Sequence, residues 1–537
     1  MANAPLVETH KGFPWYVDVS CPPYSVNRKS MSPTQQREGI QRAWDDVSAL
    51  GGGIVVLPDL YTVDQTPGQF FCLRARDNVA TWGVDQFSSG LRMTDGVARS
   101  VMLVATGPVN TPGGAVNVSF ARLTLDGNKA GTSPDPQRHC LWLQEAVNIL
   151  CDQVRFFNAP GDGVYHHDET RETTFRDCLF VGSGRNGITF TRANHNVKIS
   201  RCRFRAISAQ QIDSEPGPMV VPFDMLVEGC TFERAIGETD FVVSVAGHSG
   251  DDPNRTHHWR FIGNRFEGAV NVTWARDIVF SGNEWVIPDD TYAKPCLFLN
   301  RTTERVTVTG NTFSSTVDCI TLQATSGAGQ QPRHVTIDGN TFVLLQRTGL
   351  PVPRSAVNAE AGPGEYVFSN NTVLGPPDET GAALRHRSTR RNKSVIIRGN
   401  IVRQCRIGFQ LVSAVTDRFE RVVVEGNTFD PEGLPTSYAV VLDREANVID
   451  DFMIANNIWT GPGVVPIARD APLVPYTGSQ LWRTNGSAGI QATYSCVGTP
   501  LNQFDAPVGS LAVSRDGGIQ TTLYVKETAT AAGWTAK

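Results

Sequence analysis

The sequence predicts an all-β solenoid, a right-handed parallel β-helix with a short N-terminal capping helix and a small C-terminal β segment. Three observations lead there. First, a corner signature recurs, in Phe261-Ile262-Gly263-Asn264-Arg265-Phe266, Val308-Thr309-Gly310-Asn311-Thr312-Phe313, Ile337-Asp338-Gly339-Asn340-Thr341-Phe342 and Val424-Glu425-Gly426-Asn427-Thr428-Phe429. Looser copies surround Asn283, Asn371, Asn400 and Asn457; upstream, Cys178, Cys202 and Cys230 take the place of Asn, with weaker forms at Leu123 and Val154. Second, successive markers are 19 to 34 residues apart, for example 24 from Cys178 to Cys202 and 29 from Asn311 to Asn340, and a near-regular period of this size marks a solenoid. Third, each unit holds short runs of period two, such as Val306-Thr307-Val308 and Cys319-Ile320-Thr321-Leu322, which read as strands. No unit carries a helical stripe of period 3.6. Gly and Asn at the corners tolerate the left-handed backbone that a tight turn between sheets needs. One coil per unit stacks equivalent residues about 4.8 Å apart, so the three cysteines are expected as a column of small apolar side chains in the core.

Residues 1–31 are irregular and Pro-rich. Ser32-Pro33 is a helix start, with Ser as N-cap and Pro at the first helical position. A helix over 33–48 follows, with Ile40, Ala43, Trp44 and Val47 on one face, and it stops at Gly51-Gly52-Gly53. Ile54-Val55-Val56-Leu57-Pro58 and Tyr61-Thr62-Val63 are the next strands. This helix, Gly stop, Leu-Pro strand and Tyr-Thr-Val strand resemble the capping start of the pectate-lyase-like β-helix superfamily, which includes phage tailspikes and polysaccharide-degrading enzymes. The helix is expected to cover one open end of the core. The boundaries read as an arm and cap over 1–100, the β-helix over 101–465 and a β-rich segment over 466–537. In the last segment, 506–513 and 522–527 read as two strands around Asp516-Gly517-Gly518. That stretch, ending in Gly533-Trp534-Thr535-Ala536-Lys537, resembles a C-terminal segment of phage and prophage virion proteins.

Composition excludes several classes. With 48 Lys and Arg against 53 Asp and Glu, no nucleic-acid footprint is present. No run of 18 apolar residues exists, so no membrane insertion is expected. Met1-Ala2-Asn3-Ala4-Pro5 lacks the basic start and apolar core of a signal peptide. The eleven cysteines include no CxxC pair and read as reduced core residues. Neither a metal nor a cofactor is expected.

Aligning the coils gives candidate sites. Val164, Ile188, Ile212, Val242 and Ile320 form one inward column. Asp162, Asn186, Gln210, Asp240 and Asp318 lie two residues earlier. Tyr165, Thr189, Asp213, Val243 and Thr321 lie one later, and His167, Thr191, Glu215, Val245 and Gln323 three later; both of these columns point outward by strand alternation. Asp213 and Glu215 are therefore the candidate catalytic carboxylates. Their Cα atoms should lie about 6.5–7 Å apart, compatible with either retaining or inverting glycosidases. A close carboxylate pair also splits into one acid and one base. Gln211-Ile212-Asp213-Ser214-Glu215-Pro216, Gly161-Asp162-Gly163-Val164-Tyr165 and Gly184-Arg185-Asn186-Gly187-Ile188 resemble segments of other β-helix proteins. Tyr165, His167, Arg185, Asp162 and Asp240 are the candidate substrate-binding residues. Against each stands a plainer reading: outward Asp and Glu as solvated surface, and the Asp162 column as corner caps. Asp240 and Glu238 are alternative carboxylates. His257-His258 has the residues of a metal site, but neighbours on a strand point to opposite faces. Arg385, His386, Arg387, Arg390, Arg391 and Lys393 form a basic cluster, either a solvated loop or an anchor for an acidic glycan.

The resemblance to phage tailspikes implies a protein of the virion, or otherwise extracellular, that binds a bacterial surface polysaccharide and depolymerises it, as a hydrolase rather than a lyase. It further implies a homotrimer, with other virion or tail proteins as partners; residues 1–31 are too short for a separate head-binding domain, so attachment to a particle would use this segment, another protein or the C-terminal strands. Val243, Val245, Leu297 and Leu299 are expected in the core or at subunit contacts. Two other readings remain open: a non-catalytic virion or glycan-binding protein, and a polysaccharide lyase or epimerase.

Overall fold

The computed structural model describes residues 15–96, 100–104, 115–132, 135–218, 220–234, 240–248, 255–288, 292–324, 330–346, 354–360, 364–376, 381–388, 392–413, 419–434, 436–442, 449–460, 464–469, 474–475, 481–483, 493–496, 511–514, 523–527 and 534–537. Met1 to Pro5, Glu238, Arg390, Arg391 and the Asp516-Gly517-Gly518 turn lie outside these residues. The chain divides into two compact units, Met1–Gly268 and Ala269–Lys537.

In the first unit, each coil contributes one strand to each of three parallel sheets. The first sheet runs from Trp15–Asp18 through Gly53–Leu57 and Val79–Gly83 to Thr256–Ile262. The second runs from Leu60–Val63 to Arg265–Phe266. The third contains Phe71–Ala75, Ser100–Val104, Leu141–Gln144, Val164–His167, Ile188–Thr191, Ile212–Glu215 and Val243–Ala246. Among the described residues, parallel pairing thus begins at Trp15, within the stretch read from sequence as arm and cap. The second unit repeats the plan, with sheets running from Ala275–Ser281 to Ile449–Ala455, from Glu284–Ile287 to Ile458–Trp459 and from Val270–Thr273 to Val464–Arg469. After Val464–Arg469 antiparallel pairing appears: Leu481–Arg483 pairs with Ile449–Ala455, and Leu511–Ser514, Leu523–Lys526 and Trp534–Ala536 pair in succession.

The helix spans Pro33–Ala49, and Ser32 and Gln35 form a reciprocal capping box, which satisfies two of its unpaired N-terminal donors. Ile40, Ala43, Trp44 and Val47 are all buried, as the spacing predicts. Among the described residues, no helix is long and apolar enough to cross a membrane.

The interior is a pile of equivalent side chains. Phe156, Phe180, Phe204, Phe232 and Phe266 stack ring on ring at 4.5–4.9 Å. In the second unit Trp285, Phe313 and Phe342 do the same at 4.6 and 4.9 Å, while Phe429 is separated from Phe342 by Val373 and Val402 in the register. The Gly-Asn corners divide their labour. Gly310, Gly339 and Gly426 take the left-handed backbone, with φ of 62°, 64° and 64°. The following Asn turns inward and hydrogen-bonds the next coil. Ten described cysteines are free thiols, nine of them buried.

Two expectations need correction. Ile212 pairs with Val243, not Val242, and Asp213 with Ser244. Val242 and Val243 are both buried, so apolar alternation does not fix the phase there. Val243, Val245, Leu297 and Leu299 all lie in the core. Strict alternation also fails in the first sheet, where Asn148, Glu172, Asn196, Asp224 and His258 are left-handed, with φ of 53–57°, and drop out of the ladder. His257 and His258 therefore do not sit on opposite faces: neither is buried, and His258 Nδ1 lies 3.0 Å from Asp224 Oδ1.

Candidate functional site

The third sheet of the first unit brings the predicted residues together. Leu141, Val164, Ile188 and Ile212 align and point inward. On the opposite side, Trp142, Tyr165, Thr189 and Asp213 form one outward column, and Gln144, His167, Thr191 and Glu215 another. The intervening His166 and Phe190 fill the core, their ring centroids 4.9 Å apart.

A corner network supports this face. The Asn186 backbone N–H donates to Asp162 Oδ1 at 3.0 Å, and Asn186 Nδ2 donates to Asp213 Oδ2 at 3.2 Å and to Thr189 Oγ1 at 3.0 Å. The Gln210 backbone N–H donates to Asn186 Oδ1 at 3.1 Å, and Gln210 Nε2 to Asp240 Oδ2 at 2.9 Å. The Asp162 column therefore does cap the corners, as the plainer reading holds. Asp162 is fully buried beneath this face. Arg185 bridges outward from it: Nη1 lies 3.5 Å from Asp162 Oδ2, and Nη2 donates to Glu215 Oε1.

Burial sets the charges. It pushes the Asp162 carboxyl up to about 7 and the Asp213 carboxyl up to about 6, against the pull of Arg185. It pushes the His139 imidazole down to about 3. The Asp162 backbone N–H donates to His139 Nδ1 at 3.3 Å, so that nitrogen carries a lone pair. The 3.3 Å approach of Asp162 Oδ2 to the same nitrogen is then a neutral contact, strongest when Asp162 holds a proton. Burial also raises the Tyr165 phenol and lowers the His167 imidazole, the latter against Asp168, whose Oδ2 lies 2.9 Å from His167 Nδ1.

Aromatic rings flank the carboxylates. His139 stacks on Tyr165 at 4.6 Å and 5°. Trp142 is parallel to His167 at 6.0 Å and perpendicular to Tyr165 at 5.6 Å, and Phe70 lies 5.1 Å from Trp142. Phe70, Trp142, Tyr165 and His167 are each half-buried. Sequence reasoning missed Trp142, His139 and Phe70. Trp142 was within reach, because Leu141-Trp142-Leu143-Gln144 repeats the Val164 pattern one coil earlier. His139 was also within reach, because it lies two residues before Leu141 and so continues the Asp162 column one coil earlier; Phe70 precedes its strand and nothing in the spacing places it.

Asp318 occupies a comparable corner in the second unit. Its Oδ1 accepts from the Ser355 backbone N–H at 2.7 Å and its Oδ2 from Asn358 Nδ2 at 2.8 Å. The expected basic loop resolves differently. Arg385 and His386 are buried, and His386 Nδ1 lies 2.7 Å from the Tyr366 hydroxyl in the core. Among the described residues, no group of three or more His, Cys, Asp or Glu has metal-binding geometry.

No protein-family model matches the sequence, and no curated protein matches it. Solved structures do match. The A-module of a mannuronan C-5 epimerase from Azotobacter vinelandii is similar over 83% of this chain and 100% of its own, with a TM-score of 0.50 and 15% identity. The tailspike protein of E. coli bacteriophage HK620, in complex with a pentasaccharide, is similar over 96% of this chain and 89% of its own, with a TM-score of 0.50 and 14% identity. The chain shares the parallel β-solenoid fold of these structures. At these identities the likeness extends to the fold alone.

Proposed function

We propose that this chain is a tailspike-like virion protein that binds a bacterial surface polysaccharide and cleaves it as an endo-glycosidase. The observation that carries the reading is the outward face from Leu141 to Glu215, where aromatic rings adjoin the Asp213 and Glu215 carboxylates. Aromatic faces suit sugar C–H surfaces. Asp213, raised towards neutrality by burial, suits a proton donor; Glu215, more exposed and held by Arg185, suits the base or nucleophile. The lyase and epimerase readings have less support. Burial raises Tyr165, which keeps it a protonated phenol with little of the base form present, and Arg185 is already engaged by Asp162 and Glu215 instead of being available to a sugar carboxylate. The HK620 tailspike with its bound pentasaccharide gives the reading a precedent on this fold. We extend it to a homotrimer on a phage particle, held with other tail proteins.

A second reading, a binder without catalysis, draws on the Arg185–Glu215 ion pair, which occupies one of the two carboxylates. Incubation with panels of capsule and lipopolysaccharide separates these readings. New reducing ends without absorbance from unsaturated uronates support the hydrolase, and that absorbance would replace it with a lyase. Retention of glycan without cleavage would support the binder.

A further inference from the structure

The guanidinium groups of Arg185, Arg192 and Arg138 around this face are each matched by a carboxylate. Asp162, Asp213 and Glu215 gather around one guanidinium, Arg185, which contacts Asp162 and Glu215 and acts on Asp213 through its charge. The cations around it are engaged as well. Arg192 Nη1 lies 2.6 Å from Asp168 Oδ1, and Arg138 Nε lies 3.2 Å from Asp135 Oδ2. His167 stays neutral near pH 7 because burial lowers it, and it faces Asp168. The rings of Phe70, Trp142 and Tyr165 supply contact area without charge. Arg185 balances the Glu215 carboxylate, and Asp213 adds no positive charge whether or not it holds its proton, so a uronate, sialate or phosphate brought against Trp142 would be desolvated with no spare cation among these groups to pair with it. A neutral sugar meets only ring surface and hydrogen-bonding groups.

From this charge balance we propose that the face takes an uncharged glycan, built of neutral hexoses or N-acetylated amino sugars, and excludes polymers bearing uronate, sialate or phosphate groups at the bound residues. The inference rests on the glycan-binding reading above and adds the substrate class to it.

The test is an array of purified bacterial surface polysaccharides sorted by charge, followed by titration of each hit with tryptophan fluorescence as the readout. Uncharged polymers are expected among the hits. Their dissociation constants should change less than about twofold between 50 and 500 mM NaCl, because no ion pair to the ligand is screened. Trp142→Ala should weaken binding at least about tenfold, and Trp142→Phe, which keeps a ring, should retain most of it. An acidic polymer bound at Trp142, with affinity falling steeply in salt, overturns the inference and leaves glycan binding standing. Should the alanine variant fail to fold, the charge of the hits and their salt profile on the wild-type protein still decide. An array without any hit overturns glycan binding itself and the inference with it.

Discussion

The two units hold their corners by the same geometry with different chemistry. In residues 269–537, Asn283, Asn311, Asn340, Asn371, Asn400, Asn427 and Asn457 form an amide ladder. Each Oδ1 from Asn311 onward accepts from the backbone N–H and Nδ2 of the preceding Asn, at 2.8–3.0 Å. From Asn311 on, each Nδ2 also donates to a carbonyl of the previous coil, as Asn340 does to Val308 O at 2.9 Å. In the first unit Asn264 alone of the markers is an amide, and Cys178, Cys202 and Cys230 fill the place before it. Cys202 Sγ reaches Phe175 O at 3.6 Å and Cys230 Sγ reaches Ile199 O at 3.6 Å, the carbonyls equivalent to those the amides use. The Cys202 backbone N–H donates to Cys230 Sγ at 3.4 Å. The thiols are thus weak stand-ins for the amides, not merely apolar filler as the sequence suggested. The residue before the marker differs too. It is mostly Gly in the second unit, but Arg122, Gln153, Asp177 and Arg201 hold φ of 52–55° in the first. Side-chain ties accompany that backbone: both guanidinium arms of Arg201 bind Asp177 at 2.8 Å. A repeat can therefore drift from Gly-Asn to Arg-Cys without losing its shape, because stacking and packing over-determine the corner.

The largest expected difference between the units is in function. Asp213→Asn and Glu215→Gln should each lower turnover of a cognate glycan by about 10²–10⁴-fold with folding intact. Glu360→Gln, beside Asp318 in the second unit, should leave it unchanged. Full activity in the Asp213/Glu215 double variant would remove the carboxylates from the mechanism.

Next comes the ladder. Asn371→Ala leaves buried backbone donors and acceptors unpaired and should cost roughly 2–4 kcal/mol in urea unfolding. Cys202→Ala loses a small side chain and weak bonds, and should cost about 1–2 kcal/mol. Equal costs would mean that the amide bonds add nothing beyond packing.

A third effect depends on pH. Burial raises the folded pKa of Asp162 to about 7, from the ordinary carboxylate value of 3.8. Its folded state then binds more protons than its unfolded state, so its contribution is fully present below about pH 4 and is lost as pH rises through about 7. Asp162→Asn imitates the protonated form in burying no charge. The variant should gain on the wild type between pH 4.5 and 8, by on the order of 2 kcal/mol. Melting curves that stay parallel across that range would show that Asp162 is charged throughout.

The smallest effects concern the backbone. Gly310→Ala, at φ 62° with nothing within 4 Å of a new Cβ, should cost about 1 kcal/mol from strain alone. Gln153→Gly, at φ 55° and exposed, should stabilise by no more than about 1 kcal/mol, since relief of strain is partly offset by unfolded-state entropy. A destabilised Gln153→Gly would indicate that its side chain helps to hold the corner.

By itself, the sequence determined what repeats. The Gly-Asn-Thr-Phe corners, the buried Phe column, the capping helix with Ser32 and Trp44, and the outward placement of Tyr165, His167, Asp213 and Glu215 all follow from period and alternation, because a solenoid stacks equal positions on equal positions. Tertiary structure decided what period cannot encode. It buried Asp162 and Asp213 and so raised their carboxyls, set Arg185 against Glu215, and brought Phe70 beside Trp142. It also shifted the Val243 coil by one residue, where two adjacent valines satisfy the core equally. The physical reason is one of range: hydrophobic alternation is local along the chain, whereas burial, ion pairing and ring contacts depend on which segments the coils bring over one another.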